Sequence, residues 1–351
     1  MDAFEAVRRM GAGWCLGNTL DAMKRGVRPG EIVPPGEAET AWHNPPASPA
    51  LFWAVREAGF GAVRVPVTWI QHMDAEGRVD PAWMDRVEEV VRDVLDAGLF
   101  CLLNVHHDAG SHGWLQATGD CHWEMGARFD GLWRQIAERF AETDGRLIFE
   151  GFNEMLDGRG HWTLTDDETA YAAHNRWNQR FVDTVRSSGG MNAERVLSVQ
   201  TYSAGNAART LEHFRMPADT VPGRIILQTH NYDPEGFCWR RAENRVMRGD
   251  WGGEEDEREQ DRLFDALGAF AAARHAPLIV GEFGSEDKTG EANRQARARH
   301  AGSFTRKAGE RGIACFWWDC GWFALFDRRT SAQTQPEIIR ALTKKTGEKC
   351  L

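Results

Sequence analysis

Short apolar segments and helical segments alternate eight times along this 351-residue chain, and this alternation constrains the fold most strongly. Each apolar segment is too short for a helix and is bounded by Gly, Asp or Asn. The eight segments are GWCLGN (13–18), AVRVPVTW (62–69), FCLLNVHH (100–107), LIFEGFNE (147–154), VLSVQTY (196–202), IILQTHNY (225–232), LIVGEFG (278–284) and ACFWWDCG (314–321). Strands that are apolar on both faces and alternate with helices predict a parallel sheet covered by helices. Eight units favour a closed (β/α)8 TIM barrel over an open doubly wound sheet, since the first strand–helix turn lacks GxGxxG.

The helical segments between the strands show three- and four-residue apolar spacing. The clearest covers 82–98, where Met84, Val87, Val90, Val91, Val94 and Leu95 form one apolar face and Gly98 supplies a stop. The others cover 50–59, 129–142, 176–189, 261–275, 301–312 and 337–347, with a weaker one at 207–214. No linker or shift in composition interrupts the series. We therefore expect a single catalytic barrel domain over 1–351 with no appended binding module.

Charge and composition exclude several classes of partner. The net charge of −10 without a long basic run argues against nucleic acid and anionic membranes. No segment approaches the ~20 apolar residues of a membrane span. The first residues lack the apolar core of a secretory signal, so the protein is either cytoplasmic or secreted with its signal removed. We expect a monomer.

The seven cysteines are scattered without a CxxC pair, which fits neither a disulfide framework nor a zinc site. Cys101 and Cys315 lie inside apolar segments, and we expect both to be buried free thiols.

Polar and aromatic residues close almost every predicted strand, at the edge where such barrels carry their chemistry. They are Asn18, Arg64, His106, His107, Asn153, Glu154, Tyr202, His230, Tyr232, Glu282, Trp318 and Asp319. Glu154 closes the fourth strand and Glu282 the seventh, so the two carboxylates face each other across the barrel mouth. Such a pair suits glycoside hydrolysis, and a gap of about 5–5.5 Å would predict a retaining mechanism.

Six ordered motifs resemble glycoside hydrolase family 5, a clan A family, and specifically its bacterial endo-β-1,4-glucanases. They are RVPVTW (64–69), NVHHD (104–108), FEGFNEM (149–155), THNYDP (229–234), VGEFG (280–284) and FWWDCG (316–321), and the resemblance runs nearly end to end. It implies a retaining endoglucanase (a cellulase) in which Glu154 is the general acid/base and Glu282 the nucleophile. The implied substrate is a β-glucan oligosaccharide or polysaccharide, with no metal and no organic cofactor.

The resemblance also assigns supporting roles. Arg64 and Tyr232 would stabilise the charge of Glu282, and His230 would hold or tune Glu154. Asn153 would bind the sugar 2-hydroxyl, and Trp318 would form the floor under the reacting sugar. His106 and His107 would contact sugar hydroxyls or the network beneath them. The family pattern also implies a cis peptide bond after Trp318.

Asn18 and Asp21, in GNTLDA, would reach the next sugar along, although capping of the following turn is an equal alternative for Asp21.

Several local questions stay open at this level. Adjacent strand residues point to opposite faces, so a bulge or early turn must bring Asn153 and Glu154 into one site. Five tryptophans are candidate stacking platforms, of which we expect at least two in the cleft: Trp42, Trp69, Trp114, Trp162 and Trp322. His106, His107 and Asp108 form an alternative metal site, which the side-chain directions of a strand disfavour. Cys320 stands where the family usually has Asn, and Trp317 is expected to pack outward.

Other functions remain as alternatives. The same chemistry on xyloglucan, mixed-linkage glucan or mannan differs only in the loops. A metal-dependent amidohydrolase would need HxH on the first strand, which GWCLGN lacks. A non-catalytic carbohydrate-binding barrel would not need both glutamates, and an exo-acting β-glucosidase would release glucose before polymer viscosity falls.

Overall fold

Eight parallel strands close into a barrel in the computed structural model, which describes residues 1–28, 30–111, 113–241 and 246–344. Each strand pairs with the next in sequence, and the eighth pairs with the first. The strands run Ala12–Leu16 (β1), Ala62–Val65 (β2), Phe100–Asn104 (β3), Leu147–Glu150 (β4), Leu197–Gln200 (β5), Ile225–Asn231 (β6), Leu278–Phe283 (β7) and Ala314–Asp319 (β8). The predicted (β/α)8 fold is confirmed.

Helices connect consecutive strands, except that the first precedes β1 and the final one follows β8. They run Ala3–Met10 (α1), Pro35–Glu39 (α2), Pro49–Glu57 (α3), Pro81–Asp96 (α4), Gly119–Arg139 (α5), Glu168–Arg186 (α6), Ala208–His213 (α7), Glu235–Cys238 (α8), Glu254–Ala273 (α9), Glu291–Gly309 (α10) and Pro336–Thr343 (α11). The predicted tail at 345–347 lies outside the described residues. Within the described part of the chain, none of the helices has the length and apolar character that a membrane span requires.

Local sequence explains the helix ends and one error of prediction. Asp80 begins α4 by accepting a hydrogen bond from the Trp83 amide, and Gly98 follows the helix with a φ of 79° that glycine adopts freely. The helices α5, α6, α9 and α10 begin between seven and ten residues earlier than predicted, because their first turns are polar and carry little apolar periodicity.

The barrel interior changes from apolar to polar along the strands. Near the amino-terminal ends it contains Phe100, Ile148 and Ile226, and the buried face of α1 packs against this cluster from below. Near the carboxyl ends the inward positions are taken by Arg64, Glu150 and other polar residues. A buried polar group without a hydrogen-bond partner destabilises a protein, so the polar side chains at this end are expected to bond to one another.

The strands end earlier than their apolar runs suggested. β3 ends at Asn104 and β4 at Glu150, so His106, His107, Asn153 and Glu154 lie in the turns that follow. This is the early turn that the side-chain alternation required. A register shift between Thr229 and His230 marks the pairing of β6 with β7, another irregularity at the same rim.

Trp317 and Trp318 separate as expected, with Trp317 fully buried in the layer between barrel and helices and Trp318 in the interior cluster. The expected cis bond after Trp318 is wrong: among the described residues only Asp233–Pro234 is cis. β8 pairs in unbroken register with β1 through Trp318 and Asp319.

The six cysteines in the described residues are free, and Cys101 and Cys315 are buried as predicted.

Candidate active site

Arg64 on β2 is the centre of the polar network at the carboxyl end of the barrel. It is fully buried and donates hydrogen bonds to three side chains. Its Nη1 lies 2.6 Å from Oε1 of Glu282, and its Nη2 lies 2.9 Å from Oδ1 of Asn153. Its Nε and Nη2 donate to both oxygens of Glu150 at 2.7 Å. The planar guanidinium therefore holds two carboxylates and one amide in fixed relative positions.

Glu150 is a site residue that the sequence analysis missed. It ends β4, is fully buried, and also accepts hydrogen bonds from Asn104 at 2.9 Å and Gln200 at 2.8 Å. Burial alone would raise the pKa of Glu150, but the charge and hydrogen bonds of Arg64 hold it below the ordinary value. The sequence signal that could have identified it is a glutamate inside the apolar run LIFEGF. A buried carboxylate destabilises the fold unless a cation is paired with it.

Glu282 on β7 accepts hydrogen bonds at both oxygens. Arg64 occupies Oε1, and the hydroxyl of Tyr232 donates to Oε2 at 3.0 Å. Burial raises the pKa of Glu282, and His230 and Arg64 act in the opposite direction. Arg64 itself stays charged because its two carboxylate partners raise its pKa against burial. Arg64 and His230 thus favour the ionised form of Glu282, while burial keeps its pKa above the ordinary value.

Glu154 has a different environment from Glu282. Its Oε1 lies 2.7 Å from Nδ1 of His230. Among the described residues, no arginine donates a hydrogen bond to Glu154. Burial raises the pKa of Glu154 to about 7, whereas burial lowers the pKa of His230 to about 4. Oxygen atoms of Glu154 and Glu282 lie within 4.8 Å of each other, beside His230. Two carboxyl groups therefore converge, one suited to hold a proton and one suited to hold a charge.

His106 and His107 occupy distinct positions after β3. The ring of His106 is parallel to that of Trp318, with centroids 5.8 Å apart, and burial keeps its pKa well below the ordinary value. Burial would lower the pKa of His107 as well, but the carboxylate of Asp21, 3.7 Å away, raises it overall. The pKa values of the two adjacent histidines are thus shifted in opposite directions.

A cavity of about 450 Å³ opens above these groups. Its lining includes most of the predicted site residues, namely His106, His107, Asn153, Glu154, His230, Tyr232, Glu282 and Trp318. Arg64 lies beneath the cavity without lining it. A second cavity of about 600 Å³ borders the first near α8 and α9 and contains neither glutamate, so we assign the chemistry to the first.

Asn18 and Asp21 do not line this cavity. Asp21 is fully buried and accepts hydrogen bonds from the backbone amides of Asn18 and Thr19 at 3.1 and 2.8 Å. Asp21 therefore stabilises the turn that precedes it, whereas the predicted capping alternative placed it at the turn that follows. Tyr202, the end of the fifth strand, is also structural, since its hydroxyl donates to the His161 carbonyl oxygen at 2.7 Å.

The five tryptophans that were candidate stacking platforms lie in different environments. Trp162 is half exposed and lines the cavity, and Trp42 lies beside His107 with ring centroids 5.4 Å apart. Trp69 is fully buried, so its assignment as a platform is wrong. Trp114 donates to Asp108, and Trp322 is covered by the guanidinium of Arg240.

Trp239, which the sequence analysis missed, lines the cavity and packs against Tyr232 with ring centroids 4.7 Å apart.

Cys320 contacts the floor of the site. The indole Nε1 of Trp318 donates to its Sγ at 3.0 Å. The Cys320 thiol therefore accepts a hydrogen bond from the tryptophan that was predicted to form the floor of the site.

Within the part of the chain that the structure describes, two groups of side chains have the composition and spacing to hold a metal ion. They are Asp21 with His106 and His107, and Glu154 with His230 and Glu282, each with ligand atoms within 4.8 Å. The alternative built on Asp108 does not fit, because its oxygens accept from the Trp69 amide and the Trp114 indole at 2.7 Å. The second group coincides with the carboxyl pair described above.

The model of the cellulase family, glycosyl hydrolase family 5, matches residues 28–323. The cellulase/esterase CelE of Acetivibrio thermocellus is 35% identical over 359 aligned positions, covering 99% of this chain and 41% of that protein. A xyloglucan-specific endo-β-1,4-glucanase of Bacteroides ovatus is 33% identical, covering 95% of this chain and 68% of its own length. The chain spans only 41% and 59% of the first two curated relatives.

Solved structures with the same fold also match. A family 5 enzyme of Prevotella bryantii B14, in complex with a xyloglucan tetradecasaccharide, superimposes with a TM-score of 0.89, 34% identity and 98% coverage of both chains. A broad-specificity endoglucanase of Ruminococcus champanellensis with bound cellotriose gives a TM-score of 0.89 and 35% identity, covering 98% of this chain and 99% of that one.

Proposed function

The chain belongs to glycoside hydrolase family 5, the cellulase family, and from that premise we propose that it is a retaining endo-β-1,4-glucanase acting by double displacement. The observation that carries the proposal is the unequal treatment of two converging carboxyl groups. Glu282 is bound by Arg64, whereas Glu154 is bound by His230 and has its pKa raised to about 7.

The separation of the two groups supports retention. Oxygen atoms of Glu154 and Glu282 lie within 4.8 Å of each other. Retaining glycosidases place their carboxyl groups about 5–5.5 Å apart, whereas inverting enzymes need ~6.5–9.5 Å to admit a water molecule. Direct attack by one carboxylate on the sugar is therefore favoured over attack by water.

In the first step, Glu282 attacks the anomeric carbon while the bond to the leaving oxygen breaks. Glu154 gives its proton to that oxygen, which departs as a free hydroxyl. The product is a glycosyl ester on Glu282. Because esterification removes the negative charge of Glu282, Glu154 loses its proton next to a less repulsive neighbour.

In the second step, Glu154 acts as the base toward water. The water oxygen bonds to the anomeric carbon, its proton passes to Glu154, and the ester bond to Glu282 breaks. One water molecule is consumed and the anomeric configuration is retained. The carboxylate of Glu282 then returns to the hydrogen bonds of Arg64 and Tyr232.

Asn153 is placed to act on the sugar itself. Its Oδ1 accepts from Arg64 at 2.9 Å, so its Nδ2 donor points away from the arginine and is available to the 2-hydroxyl. A hydrogen bond that strengthens as the oxocarbenium character develops lowers the barrier selectively. Trp318 and Trp162 offer apolar faces for sugar rings along the cavity.

The substrate we propose is a β-1,4-glucan chain, with xyloglucan as the second candidate. The relatives include a xyloglucan-specific endoglucanase and broad-specificity endoglucanases. Hydrolysis of carboxymethylcellulose, barley glucan, xyloglucan and mannan should be measured in parallel. An endo-acting enzyme lowers polymer viscosity before free glucose accumulates, and failure on all four polymers would reject the proposal.

The mechanism has its own test. Proton NMR of an early time point should show the β-anomer of the new reducing end, and an initial α-product would exclude double displacement. Glu282→Gln should reduce kcat on every substrate by at least about 10⁴-fold, since the covalent intermediate cannot form. Glu37→Gln, an exposed glutamate paired with Lys24, is the matched control and should keep wild-type kinetics.

A further inference from the structure

A buried amide contacts each of the two neutral histidines of the site. Gln228 and His230 are two residues apart on β6, and Asn104 and His106 are two residues apart at the end of β3. Gln228 Nε2 lies 3.2 Å from Nε2 of His230, and Asn104 Nδ2 lies 3.1 Å from Nδ1 of His106. A neutral histidine has one donor and one acceptor nitrogen, so such a neighbour decides which nitrogen carries the hydrogen.

The direction of the Asn104 amide is set by the backbone. Its Oδ1 accepts from the amide N–H of Val67 at 3.1 Å, which can only donate. Its Nδ2 must therefore face His106 and donate to Nδ1, leaving the other ring nitrogen protonated. His106 consequently presents a donor at Nε2.

Gln228 is oriented in a comparable way. It is fully buried, and its Oε1 accepts from the hydroxyl of Ser198 at 2.8 Å. A hydroxyl can donate or accept, unlike a backbone N–H, and here Ser198 is the donor. In this arrangement Nε2 of Gln228 donates to Nε2 of His230. The space for this amide exists because position 281 is glycine: a Cβ there would lie 2.4 Å from Nε2 of Gln228.

The consequence reaches Glu154. Since Nε2 of His230 accepts, the hydrogen is on Nδ1, which lies 2.7 Å from Oε1 of Glu154. Oε1 then accepts a hydrogen bond and cannot easily carry the catalytic proton as well. The proton is left on the other oxygen, Oε2.

We propose that Gln228 is a positioning residue that fixes the tautomer of His230 and thereby keeps the catalytic proton of Glu154 on Oε2. This inference rests on the proposed role of Glu154 as the general acid. Ser198 acts one step further back, by donating to Oε1 of Gln228 in the orientation that turns Nε2 toward His230. With the amide reversed, Nδ1 of His230 would become an acceptor and draw the Glu154 proton onto Oε1.

The test compares two aryl cellobiosides, one with a poor leaving group and one, such as dinitrophenyl, whose departure needs no proton. Gln228→Leu should lower kcat/KM about tenfold on the poor leaving group and less than about twofold on dinitrophenyl, because general acid catalysis contributes ~10²–10⁴ only where a proton is needed. Ser198→Ala, a smaller change, should show the same selectivity with about a threefold loss. Gln295→Leu, an exposed glutamine on α10, is the matched control and should change neither value.

Equal losses on both aryl substrates would assign Gln228 a purely structural role and overturn the proposal. ¹⁵N NMR of histidine-labelled protein supplies a readout independent of activity. We expect the resonances that vanish in His230→Asn to show hydrogen on Nδ1, with Nε2 unprotonated, and the reverse tautomer would also overturn the proposal. If wild-type protein hydrolyses neither cellobioside, the proposed function fails instead, and the tautomer measurement still stands separately.

Discussion

At the scale of single residues, the site depends on one arginine shared between two carboxylates. Arg64 makes two hydrogen bonds to Glu150 and one to Glu282, all between fully or nearly fully buried groups. Removing one partner of a buried ion pair leaves the other charge uncompensated, which is far more costly than losing a surface pair. Glu150 therefore matters for both stability and the placement of Glu282, although it does not line the cavity.

We predict that Glu150→Gln lowers the free energy of unfolding by about 3–5 kcal/mol, because Arg64 loses one of its two charged partners. The freed guanidinium would also misplace Glu282 and lower kcat on substrates with good and poor leaving groups alike. Urea unfolding and kinetics on both aryl cellobiosides measure the two effects. Glu37→Gln should change neither, and unchanged stability of Glu150→Gln would contradict the clamp.

The pH dependence of activity belongs to the same scale. Glu154 must carry its proton in the first step. Burial raises its pKa to about 7, Arg64 and His107 oppose this shift, and Glu150 adds to it. We predict that kcat/KM on polymer falls as pH rises through about 7. On the acid side it falls as Glu282 is protonated, at a pH above the ordinary range for glutamate because burial raises that pKa.

The control for the pH profile is dinitrophenyl cellobioside, which should lack the alkaline limb, since its leaving group needs no proton. Persistence of that limb in Glu154→Gln would assign it to another group.

At the scale of elements, short strands and early turns bring the site together. β4 stops at Glu150, so the next four residues leave the ladder and carry Asn153 and Glu154 over the mouth. β6 and β7 pack so closely in the interior that position 281 can hold no side chain beside Gln228. The early end of β4 therefore sets the direction of the catalytic residues, and the close packing of β6 and β7 limits the space beneath them.

We predict that Gly281→Ala destabilises the barrel by about 1–3 kcal/mol, because the new Cβ would lie 2.4 Å from Nε2 of Gln228. Thermal unfolding measures the effect, and activity on poor leaving groups should fall as Gln228 is displaced. Gly131→Ala is the opposite case, since this α5 glycine has open space around its Cβ position. Gly131→Ala should raise the free energy of unfolding by about 0.5–1 kcal/mol. A similar loss of stability in both variants would reject the packing argument.

At the scale of the whole molecule, α1 closes the barrel at the end opposite the site. Its buried residues Ala3, Ala6, Val7 and Met10 join the interior cluster with Phe100 and Ile148. This packing links the first helix to strands from across the chain. A change at the bottom of the barrel should therefore be felt in the cooperative unfolding of the whole, as expected for the single domain predicted over 1–351.

We predict that Met10→Ala lowers stability by about 2–5 kcal/mol, because a fully buried side chain is removed and a cavity is left. Tryptophan fluorescence and residual activity should be lost together in one transition, since the indoles are distributed throughout the barrel. Met191→Ala, at a 43% exposed methionine, should leave the transition nearly unchanged. Activity lost well before fluorescence would argue against one cooperative unit.

The fold class and the placement of the two glutamates at one mouth of the barrel could be inferred from the sequence alone. Strand and helix periodicities are local, and a parallel barrel places all strand ends at one edge, so Glu154 and Glu282 could be assigned to the same mouth from the chain alone. The motifs that resemble glycoside hydrolase family 5 pointed to the same pair.

Which side chains contact each other depends on the folded barrel. Glu150 acts through Arg64, which is 86 residues away, and Gln228 is bound by Ser198, 30 residues away on the neighbouring strand. No local pattern encodes those contacts. The same closure buried Trp69 and Asp21, which the linear sequence left as candidates for sugar contact. Burial and pairing across strands are properties of the closed barrel, so they appear only once the chain has folded.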